Sequence, residues 1–120
     1  TPGRKNSTSL SVEPASELIT LFPLVFDPSG STGPSQVSIR YSLEQNGWVG
    51  SFTIYSAAGR EVKVLGQNQI LGTSGIISWS GTDATGSRVL PGYYVLVAQL
   101  FDLSGRVKVV KRALVVASPL

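Results

Sequence analysis

The chain is 120 residues long, the size of one domain built on a single core. Only 14% of its residues are charged and 42% are hydrophobic, with 13 Gly and 7 Pro between them, which suits short strands joined by tight turns and argues against disorder or a coiled coil. The net charge is +3; the absence of Cys and His removes disulfides, thiolate metal sites and the commonest general base.

Residues 1–8 are polar throughout and read as a flexible linker, so the chain looks like an excised segment or mature fragment carrying no secretory signal, with the domain spanning 9–120. Asn6-Ser7-Thr8 matches a glycosylation acceptor only at the level of a three-residue pattern. Residues 10–13 and 17–22 are the first strand candidates, and Pro14 between them predicts a break or sheet switch near an edge. A stiff segment follows over 22–28, then a Gly/Ser/Pro loop over 29–35.

From 36 to 43 the alternation is clean. Val37, Ile39, Tyr41 and Leu43 share one face, and Ser38, Arg40 and Ser42 the other, which predicts a half-buried strand. Residues 44–50 are expected to turn the chain and to carry Trp48 in the loop. The next strand, 51–56, points Phe52 and Ile54 inward; 57–60 close a hairpin with Gly59 in the left-handed position; Val62 and Val64 continue the inward face.

Another short strand over 76–79 carries Ile77 and Trp79 on one face. Asp83 to Gly86 has the Asp-first, Gly-fourth pattern of a type I turn, and Asp102 to Gly105 repeats it. Between these turns, residues 93–101 are apolar on both faces apart from Gln99, which predicts a central strand buried on both sides. Residues 107–117 form the last strand, and the doublet Val109-Val110 predicts a bulge or bend there. Seven or eight antiparallel strands at this spacing make an all-β, two-sheet sandwich.

Little in the chain suggests catalysis. Each acidic residue stands alone, no His completes a Ser triad, and the glycines match no phosphate-binding loop. No metal or cofactor is expected: calcium is the one metal whose ligands are oxygens, but Asp27 and Asp83 lack the clustered acidic residues such a site needs. No run approaches the roughly 20 apolar residues of a membrane span.

Two features point to partners. Arg106, Lys108, Lys111 and Arg112 all follow the last acidic residue, too few for a nucleic-acid footprint. They read either as a surface for an acidic partner or as edge-strand charges that block aggregation. Trp48 reads either as an anchor for a sugar or protein, or as a cap folded over the end of the core.

The stretch from Gly75 to Tyr94, with Trp79, Gly81, Asp83, Gly86, Gly92 and Tyr94 in fixed order, resembles the W-x-G-x-D-x-x-G…G-x-Y signature of the immunoglobulin-like domain of flagellar hook-capping proteins. Upstream, Phe22 to Pro28 is similar to that family's P-N-P-F segment, and Phe52 to Val62 to its I-Y-D-x-x-G-R-x-V hairpin, with Ser56 in place of Asp. The resemblance covers residues 18–116 and implies an immunoglobulin-like fold with Trp79 and Tyr94 as core signature residues. It also implies a secreted or outer-surface bacterial location reached through the periplasm. Two roles follow from it. In one, Gly92-x-Tyr94-Val95 and the basic last strand resemble the C-terminal sorting domains of type IX secretion, whose partner is the secretion machinery. In the other, the module is a structural or adhesive spacer that contacts neighbouring domains of its own polypeptide.

Overall fold

The computed structural model describes residues 18–118. The predicted linker and the first strand candidate at 10–13, with Pro14, lie outside the described residues. All eight elements are strands: β1 Ile19–Phe22, β2 Val25–Phe26, β3 Val37–Ser42, β4 Trp48–Ser56, β5 Glu61–Leu71, β6 Ser74–Trp79, β7 Gly92–Phe101 and β8 Val107–Val116. They form two sheets, one ordered β1-β3-β6 and the other β2-β8-β7-β4-β5. All pairings are antiparallel except the short parallel one that places Val25 and Phe26 beside Val115 and Val116. The chain changes sheets between β1 and β2, around Pro23.

The alternation in β3 does what it predicts. Val37, Ile39 and Tyr41 are buried, and from the opposite sheet Phe52, Ile54, Leu96, Leu100 and Leu114 close over them. Burying a side chain of this size is worth roughly 1.5–3 kcal/mol, so this interlayer is the main stabilising term. Trp79 and Tyr94 both lie in it, 1% and 7% exposed. The indole meets Phe26 and Tyr94 edge-on, with centroids 5.7 and 5.6 Å away, and its Nε1 donates to the Thr82 carbonyl at 2.9 Å. The Tyr94 hydroxyl donates to the Leu90 carbonyl four residues upstream, so its polar tip is satisfied while its ring packs.

Four expectations need correction. Val64 is exposed, not inward: β5 carries extra residues relative to β4 at three register shifts, which reset its parity and set Val64 opposite the outward-facing Thr53. Val109-Val110 is not a bulge, because β7 and β8 pair without a slip from Gly92↔Val116 to Phe101↔Val107. Val110 faces the core and Val109 the outer side, so the doublet spans the two faces of a regular strand. β7 is central but buried on one side only, with Tyr93 and Phe101 of its other face exposed. Trp48 opens β4 instead of lying in a loop.

Candidate functional site

Three turns share one device. In each, an Asp carboxylate accepts from the N–H and hydroxyl of a Ser or Thr two residues on: Ser29 for Asp27, Thr85 for Asp83 and Ser104 for Asp102. Asp27 also takes the N–H and hydroxyl of Thr32, Asp83 the N–H of Ser87, and Asp102 the N–H and Nε of Arg106. In all three turns a glycine at the fourth position takes the positive φ, 74° at Gly30, 87° at Gly86 and 93° at Gly105. The 56–60 hairpin has the same frame, with Gly59 at 86° and the Ser56 hydroxyl accepting from Arg60 N–H in the carboxylate's stead.

These bonds set the acidity. The Ser29 hydroxyl, against the opposing effect of burial and with help from Thr32, holds Asp27 below its ordinary value. The Thr85 hydroxyl does the same for Asp83, again against burial, aided by backbone N–H groups and the Lys63 charge. At Asp102 burial is the largest single influence and pushes upward, yet Ser104 and Arg106 together outweigh it and hold the carboxyl at about 2. All three aspartates are thus ionised and bound to their own loops, which accounts for Asp27 and Asp83 without calcium. Among the described residues no three Asp, Glu, His or Cys gather in one place.

The four basic residues do not form one patch. Side chains alternate along β8, so Lys108 and Arg112 lie on the side facing the other sheet and Lys111 on the outer side. Arg112 Nε donates to the Ile19 carbonyl of β1 at 3.2 Å, joining the two sheets. Arg106 stands in the turn, 2.7 Å from Asp102.

Lys108 and Arg106 do meet Trp48. Their cationic groups lie 5.9 and 5.2 Å from its ring, and the indole is 4% exposed, a cap on the core at this end of the sandwich. Beside them opens a cleft of about 490 Å³, walled by Leu18, Leu43, Glu44, Gln45 and the same three side chains. Its walls carry both signs of charge and no converging pair of carboxylates. Such a surface suits contact with another polypeptide better than bond-making chemistry. Spacing in the sequence missed this cluster because Trp48 and Lys108 are remote in the chain and meet only through the β4–β7–β8 ladder.

No family model matches the chain, and no curated protein matches it. Among solved structures it is similar to FlgD from Pseudomonas aeruginosa, with 21% identity and a TM-score of 0.52 over 67% of this chain and 61% of that one. The likeness is one of fold. The match therefore spans less than two thirds of the Pseudomonas chain. FlgD from Xanthomonas campestris, described in connection with hook capping in flagellar assembly, matches at 24% identity and TM-score 0.48 over 85% of this chain and 73% of that one. CopC from Methylosinus trichosporium OB3b matches at 17% and 0.46, over 72% and 79%. No helix among the described residues is long and apolar enough to cross a membrane.

Proposed function

We propose that this domain is a non-catalytic, immunoglobulin-like structural module of an extracytoplasmic bacterial protein, which works by holding protein neighbours in place. The observation that carries this reading is that all three aspartates among the described residues are committed to their own turns, and no three acidic side chains gather there. The FlgD-like fold supports it, because that fold serves a protein of the flagellar hook. The expected partners are neighbouring domains of the same polypeptide, met at the Trp48–Lys108 end.

Type IX sorting is the second reading, favoured by Gly92-x-Tyr94-Val95 at the start of β7 and by the basic residues of β8. One experiment separates the two. The chain is fused to the C-terminus of a periplasmic reporter in a host that has type IX secretion. Retention of a folded, protease-resistant module in the periplasm supports the structural role. Export of the reporter to the cell surface overturns it in favour of sorting.

A further inference from the structure

The outer face of the five-stranded sheet has almost no charge. Its rows follow from the register: Val107, Phe101, Val49 and Ile70 lie across β8, β7, β4 and β5; Val109, Gln99 and Ser51 come next, then Lys111, Val97, Thr53 and Val64, and then Ala113, Val95, Tyr55 and Glu61. Ile70 is 85% exposed, Tyr93 69% and Val107 68%. Isolated apolar side chains on a surface need no explanation, but a broad face of valines, aromatics and uncharged polar groups, nearly free of charge, has the make-up of an interface core. Among the described residues nothing packs on it.

We infer that this face binds a second copy of the chain, sheet on sheet, about a two-fold axis that runs along the strands between β7 and β4. The charges choose the occupant and the axis. Lys111 on β8 and Glu61 on β5 are the only charged side chains that these strands point outward, and they sit on opposite sides of the face. An axis along the strands lays β8 on β5 of the partner subunit and sets Lys111 against Glu61 of the partner subunit, twice over. Their rows are two residues apart, about 7 Å along the strand, which the long lysine stem spans. An axis across the strands would stack like charge on like charge. Four strands about 4.8 Å apart and about nine residues long present roughly 600 Å² per copy. Two copies then bury about 1,200 Å², above the roughly 1,000 Å² that a specific interface requires. The inference does not depend on the proposed role, since sedimentation reads it and the export assay does not.

Sedimentation of the full chain over a dilution series tests it. A reversible monomer–dimer equilibrium is expected. Thr53→Glu places a carboxylate near the axis and should weaken the dimer more than about 100-fold while the thermal melt stays cooperative. Lys111→Glu alone should weaken it about tenfold, and Lys111→Glu with Glu61→Lys should restore it. Both charge-swap positions are exposed, so this pair decides the matter even if Thr53→Glu fails to fold. A chain that stays monomeric at its highest soluble concentration overturns the inference. A dimer indifferent to Thr53→Glu, or a double swap that does not restore association, overturns it equally.

Discussion

Replacing Trp79 with Ala should cost the fold most of its stability. Deleting a fully buried large aromatic costs about 3–5 kcal/mol when the site cannot collapse. This site is poorly placed to collapse, because the ring is held edge-on by Phe26 from β2 and Tyr94 from β7 while its own strand belongs to the other sheet. Each such ring pair adds about 0.5–1.5 kcal/mol beyond area. The lost bond to the Thr82 carbonyl adds less, since the half-exposed turn lets water replace it. The sum sits near the top of the range, about 5 kcal/mol, against a total of roughly 5–15 kcal/mol for a domain of this size. Trp79→Phe keeps most of the ring contacts and should cost about 2 kcal/mol, leaving a folded protein to measure. Urea unfolding followed by the fluorescence of Trp48, the other of the chain's two tryptophans, reads both variants against the parent. A loss below about 1 kcal/mol for the alanine variant, at unchanged denaturant slope, would refute the claim that the indole joins the two layers.

Acid should loosen the fold through its turns. Folding lowers the pKa of Asp27, Asp83 and Asp102 from 3.8, the last to about 2, so their stabilisation is complete above about pH 4 and is lost as pH falls through the folded values. Thermal melts should therefore decline between about pH 4 and pH 2, and Asp102→Asn should flatten part of that decline; an unchanged acid limb contradicts the assignment. Ser56→Asp combined with Ala58→Thr installs the carboxylate–hydroxyl pair that the other turns have, and calorimetry should show a gain of about 0.5–2 kcal/mol. Gly81→Ala should cost about 2–4 kcal/mol in denaturant unfolding, because φ is +81° there and the added carbon would lie 2.6 Å from Pro28 Cγ. Tyr94→Phe, which removes the bond to the Leu90 carbonyl, should cost about 1 kcal/mol by the same measurement.

Much of the fold was legible because local and global signals agree in it. The period-two pattern of β3 and the Asp-first, Gly-fourth turns needed no tertiary information. Where reading failed, a second cause overrode the pattern. The polar run Gly66-Gln67-Asn68-Gln69 lies within β5, where Asn68 N–H donates to the Ser51 hydroxyl and Asn68 takes φ of 52° at a bulge. That bulge and the two before it in β5 invert the faces of the strand, which no alternation rule anticipates. In β8 the valine doublet sits in a regular strand, one valine on each face, with no kink. Trp48 was hidden among Asn46, Gly47 and Gly50, although Gly50 is in fact a strand position crowded by Leu71 and Leu100. The cationic pair above Trp48 left no local trace at all, since only strand pairing brings it together.

The parallel contact between β2 and β8 has a mechanical side. Leu24 and Phe26 accept from Val115 and Ala117 through two 2.8 Å backbone bonds, and both strands run the same way. Tension drawn between Leu18 and Ala117 therefore pulls these strands past one another along their length, loading both bonds together in shear instead of peeling them one by one. A link in that geometry gives way only when both rungs break at once.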